Sequence, residues 1–158
     1  MVLLLSCKKP NRQANEITKV ELARSVGWFN PGAAICIDSA LNYNYWGVYS
    51  NKKPGYYSGK ISQEFWDTLN QKLELIKYKT LPAHDSILLL DASYFELIVH
   101  WKNGKKRITT ASASNPLVNT LLWLNSSYKN VKLHQVKYPI KFETNLYTDV
   151  GIFPPPNK

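Results

Sequence analysis

Tyr94-Phe95-Glu96-Leu97-Ile98-Val99-His100-Trp101, followed at once by Lys102-Asn103-Gly104, is the stretch that decides the fold. Phe95, Leu97, Val99 and Trp101 fall on one side of a period-two pattern; Tyr94, Glu96, Ile98 and His100 fall on the other. That alternation belongs to a strand and not to a helix. Asn-Gly is the strongest short hairpin signal, so Lys105 to Thr110, with its β-branched end, is expected to return antiparallel.

The residues before this hairpin repeat the pattern. In Ile17 to Val26, Val20, Leu22 and Val26 share one face and Lys19, Glu21 and Ser25 the other, as in a half-buried strand. Gly27 to Gly32, containing Asn30-Pro31-Gly32, reads as a turn. Ala33 to Asp38 is a short apolar strand. Leu41 to Ser50 sets Tyr43, Tyr45, Gly47 and Tyr49 against Asn44, Trp46 and Val48; Pro54-Gly55 closes a hairpin, and Tyr56 to Ile61 returns.

Two helices interrupt the strands. Ser62 is the expected cap of the first, with Gln63, Glu64 and Asp67 in its acidic first turn, Phe65, Leu69, Leu73 and Ile76 on its apolar face, and Leu81-Pro82 as its stop. Asn115 as cap and Pro116 at the first helical position open the second, with Leu117, Val118, Leu121, Leu122 and Leu124 as its buried face. Between helix and hairpin, His84 to Asp91 reads as a connector with an apolar run, Ile87 to Leu90. Val131 to Val136 reads as a last strand. The expected class is α+β: an antiparallel sheet of about five to seven strands, meander plus hairpin, with two helices packed on one face.

The totals agree with one packed domain. The chain has 158 residues, 44% hydrophobic and 20% charged, an ordinary globular balance that argues against disorder. We divide it into a signal remnant and tether (1–16), a single α+β domain (17–137) and an extended C-terminal tail (138–158) containing Pro154-Pro155-Pro156. The formal charge of +9 favours anionic partners such as lipid head groups, acidic polysaccharide or nucleic acid. The lysines are scattered, however, and a solvated basic surface explains most of that charge.

The first residues carry an address. Leu4-Leu5-Ser6-Cys7, preceded by Val2 and Leu3 and followed by Lys8-Lys9, resembles a bacterial lipobox. The resemblance implies that the Cys7 thiol takes a diacylglycerol chain after cleavage behind Ser6. It departs from the full signal in that only Val2 to Leu5 precede the box, whereas an apolar stretch of about 7–15 residues is usual. The expected location is the bacterial cell envelope, lipid-anchored and facing periplasm or exterior, with the membrane as a partner through the N-terminal lipid. That location removes nucleic acid as a partner. Cys36 is then alone, and a lone Cys in an apolar strand is expected to behave as a small hydrophobe.

From Ile17 to about Tyr128 the layout resembles the bacterial family called domain of unknown function 6438. The features that carry this are Val20-Glu21-Leu22-Ala23-Arg24, Pro31, Ile35-Cys36-Ile37-Asp38, Tyr45-Trp46-Gly47, Gly59-Lys60-Ile61-Ser62, Phe65 and the Asn103-Gly104 hairpin. The chain departs from it where that family has a Cys-Phe-Gly-x-Cys-Pro element; here stands Val26-Gly27-Trp28-Phe29-Asn30-Pro31, without either cysteine. The resemblance implies a fold and an envelope setting, and no activity.

No catalytic constellation stands out. His84, His100 and His134 show no metal-ligand spacing, so neither metal nor cofactor is expected. No nucleophile elbow surrounds Ser112 or Ser114. Paired carboxylates drawn from Asp38, Asp85, Asp91 and Glu96 would suit an envelope-polymer hydrolase; turn capping and solvent-facing strand positions explain the same residues more simply. The stronger lead is aromatic. Tyr43, Tyr45, Trp46, Tyr49, Tyr56 and Tyr57 crowd into the meander, and three or more on one open face would make a stacking platform for a glycan or a docking surface for an envelope protein. The competing reading places them in the core, where strands favour them. The expected function is a non-enzymatic binding or interaction module.

Overall fold

The structure, a computed structural model, describes residues 16–26, 30–47, 53–84, 94–111 and 116–146. Seven strands form one antiparallel sheet: β1 (Ile17–Val26), β2 (Asn30–Asp38), β3 (Asn42–Gly47), β4 (Gly55–Lys60), β5 (Phe95–Trp101), β6 (Gly104–Thr110) and β7 (Leu133–Val136). The spatial order is β6-β5-β1-β2-β3-β4-β7, every pair antiparallel. Two helices, α1 (Gln63–Leu75) and α2 (Leu117–Ser126), complete an α+β fold. The hairpin that opened the sequence argument forms one flank, and the meander forms the rest.

The alternation read from the sequence becomes two faces. One row crosses the sheet as Ile108–Leu97–Leu22–Ile35–Tyr45–Tyr57 and the next as Val99–Val20–Ile37–Tyr43–Gly59–Leu133. These residues join Trp66, Leu69 and Leu73 of α1 and Leu117, Leu121 and Leu124 of α2 in one core. Burying a Leu or Ile contributes on the order of 1.5–3 kcal/mol, so this shared face is the main stabilising term.

Local chemistry sets the element ends. The Ser62 side chain accepts from the Phe65 N–H at 3.1 Å, satisfying one of the free donors that open α1. The helix was expected to run to Leu81-Pro82, but it ends at Leu75. Lys77 takes a left-handed conformation (φ 51, ψ 48), and the short 3-10 turn Tyr78–Thr80 then drops Tyr78 into the core. The second helix begins at Leu117 with Pro116 in the cap position; Asn115 lies outside the described residues. Its buried face is Leu117, Thr120, Leu121 and Leu124. Leu122 is exposed, because one position past Leu121 is about 100° around the helix.

Three further readings change. The second half of the expected Gly27–Gly32 turn, Asn30-Pro31-Gly32, is instead the start of β2, where the register slips between Arg24 and Ser25 and Pro31 stands opposite Ser25; residues 27–29 lie outside the described residues. Pairing with β3 begins only at Ala33, so the missing Pro31 N–H breaks no ladder bond on that side. The β5–β6 turn is centred on Lys102-Asn103, with Gly104 already paired to Trp101. Gly104 leaves room for the Trp101 ring, which a Cβ there would meet at 3.0 Å. Finally, packing does not stop at residue 137, since residues 143–146 lie against the sheet face opposite the helices. The Ile87–Leu90 run and the Pro154–Pro156 tail lie outside the described residues.

Candidate functional site

The face away from the helices holds the chemistry. Its central row crosses all seven strands: Arg107–Ile98–Glu21–Cys36–Asn44–Ser58–His134. A parallel row runs Thr109–Glu96–Ala23–Ala34–Trp46–Tyr56–Val136. Charge gathers on the β6–β5–β1 side and aromatic and amide groups on the β3–β4–β7 side.

On the charged side, Glu21 and Glu96 are 1% and 3% exposed and occupy neighbouring strands. Buried carboxylates need partners. Arg107 Nη1 donates to Glu96 Oε1 at 2.6 Å and its Nη2 donates to the Glu143 carbonyl at 3.2 Å. The remaining donors come from the C-terminal segment, 122 or more positions downstream of Glu21. The Glu143 and Thr144 N–H groups donate to Glu21 Oε1, the latter at 2.9 Å, while the Thr144 hydroxyl and the Asn145 N–H (2.8 Å) donate to Glu96 Oε2. An extended segment has unpaired N–H groups to give, and the two carboxylates take them. Burial raises the Glu21 pKa above the usual carboxylate range, against the opposing pull of those N–H bonds and of Lys19.

Glu143 closes this strap from outside. Its carboxylate receives Lys105 and, at 3.2 Å, Lys19 Nζ, and His100 Nε2 lies 2.8 Å away without the alignment of a hydrogen bond. The Lys105 bond leads, with Lys19 and His100 adding, and together they hold the Glu143 pKa down at about 2. Burial, with Lys19 adding, lowers the His100 pKa from its ordinary value.

The six meander aromatics divide. Tyr43 and Tyr45 are fully buried under the helices. The Ser127 hydroxyl has one proton, which goes to the Leu124 carbonyl at 2.6 Å, so Tyr43 is the donor in its 2.7 Å bond to Ser127. Tyr45 stacks on Tyr128 with centroids 4.7 Å apart, and its hydroxyl is buried without a partner among the described residues. Tyr57 also faces the helices, tilted against Tyr45, and donates to the Pro54 carbonyl at 3.1 Å. Trp46 and Tyr56 stand together on the outer face, half-buried, with centroids 6.3 Å apart and planes at 38°. Tyr49 lies outside the described residues, as does the Cys7 segment.

The candidate surface is therefore the Trp46–Tyr56 pair with Asn44 and Ser58 in the next row and exposed His134 beyond them. Cys36 borders it. Burial, then the nearby Glu21, pushes its thiol up to about 12, so it is protonated at neutral pH and a poor nucleophile. Asp38 is occupied as a turn organiser: its Oδ1 accepts from the Ala40 N–H (2.9 Å) and Asn42 N–H (3.1 Å), and both its oxygens accept from the Asn42 amide. It thereby holds Leu41 in a left-handed conformation. Asp85 and Asp91, the other acids considered for hydrolysis, lie outside the described residues with Ser112 and Ser114, and His84 pairs with Thr109 in an isolated bridge beside β6.

Among the described residues no three His, Cys, Asp or Glu side chains gather as a metal site, and no helix is long and apolar enough to cross a membrane. The sequence reading missed Glu21 as a buried group and missed the strap altogether. The available signal was weak: a Glu inside a strand whose cross-strand neighbours are apolar. No protein-family model matches the chain, and no curated protein matches it.

Proposed function

We propose that the protein is a non-catalytic, lipid-anchored domain of the bacterial cell envelope that binds an extended envelope polysaccharide along the outer face of β3, β4 and β7. We take its layout as a divergent form of domain of unknown function 6438. The observation that carries the binding reading is the Trp46–Tyr56 pair, two half-exposed rings on adjacent strands with amide, hydroxyl and imidazole groups in the next row. Sugar rings stack on such faces through their C–H groups while their hydroxyls bond to the flanking polar groups.

The competing hydrolase has one observation in its favour, the adjacency of Glu21 and Glu96 with the Glu21 pKa raised. A paired-carboxylate reaction needs an acid and a base that both reach substrate. Here Arg107 and the 143–145 strap already take up oxygens of both groups, which favours a structural role.

Affinity electrophoresis of the full chain through gels containing purified envelope polysaccharide tests the proposal. Trp46→Ala and Tyr56→Ala are each expected to weaken retention about three- to tenfold, the size of an aromatic contact. Equal retention of both variants would overturn it. Retention by a purified envelope protein alone would move the function to that partner, and release of new reducing ends would establish the hydrolase.

A further inference from the structure

We propose that the end of the sheet formed by the β5–β6 hairpin is a docking surface for anionic phospholipid, so that the domain lies with Trp101 toward the bilayer. The inference rests on the lipid-anchor reading for its setting, but its observations are separate.

The first is the seat of Trp101. Its half-buried ring lies over Gly104, where a Cβ would be only 3.0 Å away. The ring of Tyr78 meets it edge-on at 6.0 Å, and Lys79 Nζ lies 5.0 Å from its centroid. An indole fixed at a loop end, apolar in body and with one N–H to offer, suits the head-group layer of a membrane.

The second is charge. Lys77 and Lys102 are exposed, Lys79 sits over Trp101, and Lys106 follows Gly104 by two positions. Of the acids near this end, Glu143 is already shared between Lys19 and Lys105, Glu74 stands at the end of α1 and Glu16 precedes Ile17, two carboxylates against the four lysines. The excess is positive, and lysines held near an anionic leaflet are attracted through the surface potential.

The third is where the chain enters. β1 starts at Ile17, whose partner on β5 is Trp101. The ten residues from Cys7 to Ile17 span at most about 35 Å even when fully extended. An acyl chain on Cys7 therefore holds this end of the sheet within that reach of the head groups. Acidic polysaccharide offers similar charge but no apolar layer for the indole.

The full chain carrying Cys7→Ser, and hence no acyl group, separates the surface from the anchor. It is sedimented with vesicles of phosphatidylcholine alone and of two parts phosphatidylcholine to one part phosphatidylglycerol. The expected result is at least tenfold tighter association with the anionic vesicles, reversed by molar salt, and a blue shift in tryptophan emission that Trp101→Phe removes. Substituting Lys77, Lys79 and Lys102 together with Gln is expected to weaken association at least tenfold with an unchanged circular dichroism spectrum. The control triple at Lys53, Lys129 and Lys137 removes the same charge and is expected to change it less than twofold. Equal binding to both vesicles, equal loss in the two triples, or binding to soluble acidic polysaccharide without vesicle binding would each overturn the docking surface. The anchor stands or falls on a different measurement, the mass of the membrane-extracted native protein, which an unmodified Cys7 would leave without acyl chains.

Discussion

The two faces of one sheet solve the same problem by different means. The helix-covered face is apolar along its central row, from Ile108 across Leu97, Leu22 and Ile35 to Tyr45, and packs against α1 and α2. Among the described residues the opposite face is covered over β6, β5 and β1, by an irregular segment bearing polar groups. The first face needs only shape and apolar area. The second needs each charge matched to a donor, so it depends on a few specific bonds. Trp46 and Tyr56 stand on the remainder of this face, over β3 and β4.

The sharpest break of this contrast is Arg107→Ala. It leaves Glu96, 3% exposed, without its cation, and removes the bond to the Glu143 carbonyl. The expected loss is about 3 kcal/mol by urea denaturation. Arg107→Lys, which keeps the charge but not the two-pronged geometry, should lose less. A loss under about 0.5 kcal/mol, within the range of ordinary surface substitutions, would show that the strap side carries little of the fold.

A smaller effect separates two tyrosines on the helix side. Tyr43→Phe deletes a bond to Ser127 and is expected to lose about 1 kcal/mol. Tyr45→Phe deletes a hydroxyl that is buried without a partner, so it should be neutral or slightly stabilising. Parallel thermal melts of the two variants check the sign of the difference.

The smallest effect is read against pH. The Glu143 pKa is held at about 2 in the folded chain against an ordinary 4.5. Its contribution is therefore fully present above about pH 4.5 and is lost as pH falls toward 2. Wild type should exceed Glu143→Gln in stability at neutral pH, and the gap should close through that window. Glu21, whose pKa is raised mainly by burial, acts in the opposite direction: its contribution declines as pH rises past 4.5, and less so in Glu143→Gln, which removes a charge that adds to the rise. A gap that persists unchanged to pH 2 would rule out the ion pairs as its source.

Much of the architecture was legible because it is local. Period-two alternation in Phe95–Trp101 and Asn42–Gly47 set both strands and sorted their residues into two faces, and Ser62 marked a helix start through its own side-chain bond. Where a local signal competed with packing, packing won. The Asn30-Pro31 turn became strand beside β1, and α1 stopped short of Leu81-Pro82 because Tyr78 finds the core first. The candidate site was half legible: the cluster of six aromatics was visible, but not which of them the helices would claim.

By itself, then, the chain order specified strands, helices and a greasy side, since each depends on neighbours within a few positions. The three-dimensional arrangement decided which groups meet across more than a hundred residues. Glu21 looks like a solvent-facing strand residue until Thr144 lies over it, and the Trp46–Tyr56 pair exists only once β3 and β4 are in register. No local pattern encodes such contacts, because burial and hydrogen-bond partners belong to the packed whole and not to any segment of it.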